Sequence, residues 1–541
     1  MSRLPQRLAR RAGWCVFVIG LFASNAVAQF DPALNDQASM HIRQMIEALS
    51  ARGHLVIKGN TVGAANFMRE FYSRRQYQPA WTDQKNMDDL IAAVKESERD
   101  GLSPQDFHQP VLDIVRSPEG FSALELAGRD VVLTDALVRL GYQLFYGKVD
   151  PSSLDANWNV DRPLDDDNPA ELVEQALRDR RIPELLASLR PNDRYYDELV
   201  NELAQTRLDA EKEQVQVPDG PALRKGDQGG RVAALRDRLG LSPGTLFDED
   251  LDSAVRAFQD DQRLAVDGVV GRQSIAALNA GPEQRIEKLR INLDRARWLR
   301  DVARTGRHVV VNIAGFRVYL IEDDRIIWET RAIVGKPYRK TPLFKNEIKY
   351  LVLNPTWTPT PRMVRDDIAP KYREDPNYLA AHNMVVYDGS GAQIDAATAD
   401  WSKPGRYRVV QQPGPDNALG EVKFMFPNKH HVYLHDTPSR NLFDENERAF
   451  SSGCIRVDDP IELARRLLAD QPSWQPETID ATLASGETKT VHLSEPVPVY
   501  LLYWTANPLM EGPEIEYLPD VYERDQAVLE ALDATFGPLD F

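Results

Sequence analysis

The change of hydrophobic period at His308 constrains this chain most. Before it, apolar residues recur every three to four positions, the spacing of a helix that buries one face. After it come short β-branched and aromatic runs at residues 309–313, 317–321 and 326–330, with Gly315 and Asp323-Asp324 as turns between them. Further runs of this kind lie at 350–353, 384–387, 407–410, 423–425, 432–435 and 497–504. A chain of 541 residues has room for roughly three domains. The pattern predicts a multi-domain α+β protein, helical first and β-rich afterwards.

Residues 29–217 form the expected helical domain. Leu90, Ile91 and Val94 share a helical face, Asp100-Gly101-Leu102-Ser103-Pro104 stops one helix and starts another, and an apolar helix through 131–145 ends at Gly147. Residues 218–282 are a small three-helix unit. Val232, Leu235 and Leu239 line its first helix, Asp248 caps a second carrying Leu251, Ala254, Val255 and Phe258, and Ile275 and Leu278 mark a third. Residues 283–305 are a charged helical linker. The β-rich domain spans 306–484, with an insert at 354–388 that opens on Pro355, Pro359 and Pro361 and holds short helices at 362–371 and 377–382. An insert of that length suits a lid or a binding loop. Residues 460–469 are helical, and residues 485–541 supply a last strand and a tail that complete the sheet.

Residues 1–28 have the order of an export signal. Arg3, Arg7, Arg10 and Arg11 precede an apolar stretch at 14–23, and Ala26-Val27-Ala28 is a small-x-small cleavage site. The apolar stretch is too short to cross a bilayer, which takes about 20 residues. Formal net charge is −17, and cleavage removes four arginines and no acids. That acidity argues against nucleic acid, whose binding rests on lysines and arginines neutralising phosphates.

Cleavage would also remove Cys15 and leave Cys454 as the single thiol. A lone cysteine is either a nucleophile or a small buried core residue, and spacing alone leaves both open. Nineteen residues earlier, the run 432–435 delivers His435 at its end, a base within the range of such a thiol. The lead-in Ser451-Ser452-Gly453 is short and flexible, so the amides of Ser452, Gly453 and Cys454 are candidate oxyanion donors. His430, His431, His435 and Asp436 could instead be read as metal ligands. On a strand, His430 and His431 face opposite ways. His431 and His435 would share a face some ~13 Å apart, with Tyr433 between them. The pattern therefore points to no metal and no cofactor.

Two stretches resemble known families. Leu223-Arg224-Lys225-Gly226-Asp227, Phe258-Gln259 and Asp267-Gly268-Val269-Val270-Gly271 occur in the order found in three-helix peptidoglycan-binding domains. Tyr433-x-His435-Asp436-Thr437 followed by Ser451-Ser452-Gly453-Cys454-Ile455-Arg456-Val457 resembles the active-site signature of the L,D-transpeptidases. Gly335-Lys336 with Thr341-Pro342 also resemble that domain's opening strands, and Phe71-Tyr72 to Trp81, Asp100-Gly101-Leu102, and Gly141-Tyr142 to Gly147-Lys148-Val149 upstream are similar to the helical scaffold of the large Gram-negative members. Most of the family has histidine before Gly-Cys. Ser452 stands there in this chain, as in those large members, and leaves His435 as the base.

The resemblance implies a periplasmic cysteine acyltransferase. Cys454 would attack the L-centre carbonyl of meso-diaminopimelate in a tetrapeptide stem, with His435 as general base and acid and Tyr433 and Arg456 at the substrate. A second stem would accept the acyl group in a 3→3 cross-link. Peptidoglycan stems are then donor and acceptor, with an outer-membrane lipoprotein or other wall synthases as further candidate partners and carbapenems as acylating inhibitors. Hydrolysis of the same thioester, giving an L,D-carboxypeptidase or endopeptidase, is the nearest rival. A non-catalytic wall-binding protein is a more distant one.

Overall fold

The computed structural model describes residues 32–112, 120–160, 168–210, 215–262, 264–279, 281–299, 306–508 and 515–539. The export-signal reading of residues 1–28 falls outside them. Among the described residues no helix is long and apolar enough to cross a membrane.

The N-terminal region is helical, as expected, with one small hairpin, Leu55–Ile57 with Asn60–Val62. Its axis is the helix Ala123–Tyr146, opened by a Ser122/Glu125 capping box and ended at Gly147. That helix is buried on nearly all sides, and its charges survive burial because each is paired. Asp130 accepts from the Tyr72 hydroxyl at 2.8 Å and from the Ala80 and Trp81 amides. Asp135 accepts from the Gly63 amide, from His108 and from Arg139.

The three-helix unit is present as Gly230–Arg238, Glu249–Asp261 and Arg272–Leu278, and Asp248 caps the second helix through the Leu251 amide at 3.0 Å. Its core takes in Val217, whose backbone is clasped by Asn279 at 2.8 Å on both sides. The unit thus begins at Val217, one residue before the sequence boundary.

Nine strands make the main sheet: β1 Arg307–Asn312, β2 Arg317–Glu322, β3 Arg325–Gly335, β4 Phe344–Leu353, β5 Val422–Met425, β6 Leu434–His435, β7 Ala449–Ser451, β8 Ile455–Val457 and β9 Lys489–Leu502. Their order is β7-β3-β8-β6-β5-β4-β9-β1-β2. Because β2 also pairs with β3, eight of them close into a ring around an apolar core, and β7 hangs on the outside of β3. Closure leaves that ring without free edges.

Four expectations are corrected. The last strand completes the sheet as expected, but the β-rich domain does not end at 484: β9 lies between β4 and β1, so residues 306–484 alone would be an open sheet missing an interior strand. The chain then runs on through the helix Asp525–Asp533 into the core of the helical region, where Ala64 donates to the Leu539 carbonyl at 2.7 Å and Arg139 to the Phe536 carbonyl at 3.1 Å.

The supposed linker at 283–305 contains the helix Pro282–Trp298, which is buried from Ile291 to Trp298 between the helices Arg194–Ala210 and Asp525–Asp533. Its polar sequence misled because the charges are paired internally. Arg295 meets Asp525 at 2.7 Å, Arg297 donates to the Tyr196 hydroxyl at 2.8 Å, and Asp294 takes the Lys148 amide at 2.8 Å.

The insert is larger than 354–388. It has its own core and a three-stranded sheet, Met384–Tyr387 with Gln393–Ile394 and Arg408–Gln411, so two runs assigned to the main sheet belong to the insert. Its neck closes where the Asn354 amide donates to the Glu421 carbonyl at 2.8 Å. Finally, the run at 432–435 is a strand only over Leu434–His435. His431 has a left-handed φ of 54°, and the Asn428 side chain ties the preceding turn to Val432.

Candidate active site

Sheet register gathers the site. The parallel pairing of β6 and β8 sets Leu434 beside Ile455 and His435 beside Arg456, so Tyr433 lies beside Cys454 one pair earlier. Side chains two apart on a strand share a face. Tyr433, His435, Cys454 and Arg456 therefore occupy one face, and the antiparallel β5 adds Lys423 opposite His435. Sequence reasoning missed Lys423; period-two alternation in Val422-Lys423-Phe424 was the available signal, but only register shows which strand it adjoins.

His435 is 5% exposed, and its Nδ1 lies 2.5 Å from the Asp436 carbonyl. A carbonyl only accepts, so Nδ1 carries the proton and Nε2 keeps its lone pair. Burial lowers the imidazole to about 3, with Arg456 and then Lys423 adding to the effect. The ring is neutral at any ordinary pH. The Asp436 carboxylate does not orient it. That group accepts from the Glu421 amide at 2.9 Å and from Arg440 at 3.2 Å, and burial raises its pKa.

Cys454 is half-buried and free. Its Sγ lies 3.8 Å from the His431 carbonyl. Burial pushes the thiol up, while a bond from the Tyr433 amide, Arg456 and Lys423 pull the other way. The resting pair is thus a neutral thiol and a neutral imidazole.

The lead-in loop is held from two sides. Ser451 Oγ donates to the Cys454 carbonyl at 2.6 Å and accepts from the Gly453 amide at 3.0 Å. The Gly453 amide, expected in the oxyanion hole, is therefore engaged within the loop. Among the described residues the Ser452 and Cys454 amides meet no acceptor. Gly453 takes φ 121°, a conformation that resists a side chain. The Ser452 hydroxyl accepts from Arg339 at 2.9 Å. Thr341 donates to the Gly453 carbonyl at 3.0 Å and accepts from the Gly335 amide at 2.9 Å. Tyr522, from the C-terminal segment, bonds both Gly335 and Thr341. No signal in the sequence pointed to Tyr522.

The imidazoles do not converge. The His430 ring stands 5.2 Å from Phe344, and His431 is exposed on its turn. Among the described residues no three His, Cys, Asp or Glu side chains gather as metal ligands.

Residues 306–493 match the family model described as the L,D-transpeptidase catalytic domain (YkuD). That stretch of the chain is thus similar to L,D-transpeptidase catalytic domains. All five residues of the shared face lie inside that match. Residues 66–203 match a "Scaffold domain", and 234–278 match a "Putative peptidoglycan binding domain". A Haemophilus influenzae protein named "Putative L,D-transpeptidase" is 36% identical over 275 residues, covering 49% of this chain and 55% of that protein. The match thus spans little more than half the relative's length. Among solved structures, the L,D-transpeptidase from Xylanimonas cellulosilytica is 16% identical with a TM-score of 0.18, covering 53% of this chain and 99% of the other. That from Stackebrandtia nassauensis is 13% identical with a TM-score of 0.20, covering 54% and 97%. The stretch matched to the catalytic-domain model takes in most of the β-ring with its insert, and the scaffold and peptidoglycan-binding matches both precede it in the chain.

Proposed function

We propose that this chain is a peptidoglycan L,D-transpeptidase that makes 3→3 cross-links through a thioester on Cys454. The observation that carries this reading is the shared face. A thiol and an imidazole with a free Nε2 stand diagonally on paired strands inside the matched domain, beside two cations. In the first half-reaction the thiol sulfur bonds to the L-centre carbonyl carbon of diaminopimelate, and its proton passes to His435 Nε2. The Ser452 and Cys454 amides receive the developing oxyanion. The carbon–nitrogen bond to D-alanine then breaks, and the imidazolium returns the proton to the leaving amine. In the second half, the side-chain amine of a neighbouring diaminopimelate attacks the thioester. His435 takes the amine proton, the carbon–sulfur bond breaks, and the thiol is restored.

The buried neutral imidazole fits a base that acts only as the sulfur attacks, since a standing thiolate–imidazolium pair is disfavoured there. Arg456 has no structural ion pair among the described residues, which favours substrate contact over loop support. The basic, apolar and small-residue order of residues 1–28 supports export to the periplasm of a Gram-negative bacterium.

The test is incubation with purified disaccharide-tetrapeptide, read by mass spectrometry. A dimer lacking one D-alanine supports transfer. A tripeptide product alone shows hydrolysis and overturns the cross-linking assignment, and no product overturns both. Dimer made by Cys454→Ala would exclude the thioester.

A further inference from the structure

Three strands place three side chains in one row. Lys423 on β5 is opposite His435 on β6, and His435 is opposite Arg456 on β8. Strand neighbours lie about 4.8 Å apart, so the two cations straddle the imidazole with roughly 10 Å between their Cα atoms. Both are half-buried, and burial lowers the proton affinity of each.

Neither cation has a carboxylate partner among the described residues. The adjacent acids are taken: Asp436 by Arg440 and the Glu421 amide, Asp458 by Arg331 and Arg440. Arg456 Nε is buried and bonds to nothing. Lys423 faces the Tyr433 ring, 5.7 Å from its Nζ, and the Cys454 thiol, which is neutral at rest. Unpaired cations held on a half-buried face cost stability. An anion that arrives with the ligand would satisfy both.

We propose that Lys423 and Arg456 form a two-cation receptor for a carboxylate of the donor peptide, seated over His435. The assignment rests on the transpeptidase reading and names the group that the donor must present. It also couples binding to chemistry. After burial, the field of these two cations is what holds His435 in its unprotonated form. A carboxylate between them cancels that field, so the imidazole becomes a stronger base once the donor is seated. Two carboxylates of a tetrapeptide stem could fill the receptor: the C-terminal one on the leaving D-alanine, and the one on the distal D-centre of diaminopimelate.

The experiment is calorimetric titration of full-length Cys454→Ala with disaccharide-tetrapeptide and with stems amidated at one carboxylate or the other. Lys423→Met and Arg456→Met, each in that background, are expected to weaken binding about 10-fold, the loss of one charge-assisted bond. Lys423→Arg is expected to restore most of it. Amidation of the seated carboxylate weakens the parent protein similarly and adds little to Lys423→Met, while amidation of the other leaves affinity unchanged, which identifies the source. In the Cys454-containing protein, Lys423→Met should move the pH profile of iodoacetamide alkylation modestly upward, because Lys423 also pulls the thiol down. If the native stem binds equally to parent and Lys423→Met, or if neither amide weakens binding, the receptor is wrong and the transpeptidase reading stands. A shifted alkylation profile with unchanged binding assigns Lys423 to the thiolate and overturns the receptor in the same way. If wild-type protein neither binds nor turns over the native stem, both fall.

Discussion

Tyr522 donates its hydroxyl proton to the Gly335 carbonyl at 2.5 Å, across 187 residues of sequence. The same oxygen accepts from the Thr341 amide at 3.2 Å, and Thr341 in turn holds the Gly453 carbonyl next to Cys454. The C-terminal segment, which also enters the core of the helical region at Leu539, thereby braces the Cys454 loop. Tyr522→Phe keeps the ring and removes these bonds. We expect a stability loss of about 1–2 kcal/mol by urea unfolding. Acylation of Cys454 by the donor stem should slow about 10-fold in single-turnover mass spectrometry, as loop geometry loosens. A stability loss with an unchanged acylation rate would confine Tyr522 to the fold.

Gly420 has φ 58°, and a Cβ there would stand 2.1 Å from Asp436 Oδ2. Gly420→Ala must therefore displace the Asp436 carboxylate and with it the backbone that orients His435. The expected cost is about 2 kcal/mol or more in unfolding free energy. Donor acylation should fall further than the stability change explains.

The depressed His435 sets a direction for acid sensitivity. The folded state holds the ring neutral down to about pH 3, whereas the unfolded chain protonates it near its ordinary value of 6.5. Below that ordinary value the unfolded state binds the extra proton, so stability falls as pH falls and the loss is complete only below about 3. Wild-type protein should lose about 1.4 kcal/mol per pH unit more than His435→Gln between pH 6 and pH 4. Equal acid slopes for the two proteins in urea titrations would contradict a buried neutral His435.

The raised Cys454 thiol gives the opposite limb. Its alkylation by iodoacetamide should climb with pH through and beyond the ordinary thiol range, with no plateau at neutral pH. A plateau already present at pH 6 would reveal a standing thiolate.

Asn354 closes the neck of the insert. It takes φ 46°, and its side-chain amide donates to the carbonyls of Thr482, Leu483 and Glu487 at 2.9–3.2 Å. Asn354→Ala removes those bonds and places a residue that disfavours this φ. We expect a loss of about 2 kcal/mol. Limited proteolysis should cut first within 354–420.

Local chemistry was legible in the sequence because it is local. Helical and β periods separated the helical region from the β-rich domain, Asp248 is a cap written in adjacent residues, and Cys454 with His435 stood out by residue type and spacing. Which side chains meet was not legible, because strand register, ring closure and burial depend on pairings far apart in the chain. Register placed Lys423 beside His435. The closed ring took β9 into its interior. Paired charges buried a helix that reads as a polar linker, and a tyrosine near the C-terminus came to hold the loop of Cys454. The sequence by itself determined that one thiol and one imidazole, Cys454 and His435, stand at a spacing that suits a nucleophile and base, since residue type and spacing are local properties. Only the tertiary structure decided the neutral state of His435 and the company of unpaired cations around it, because burial and electric field belong to the assembled fold.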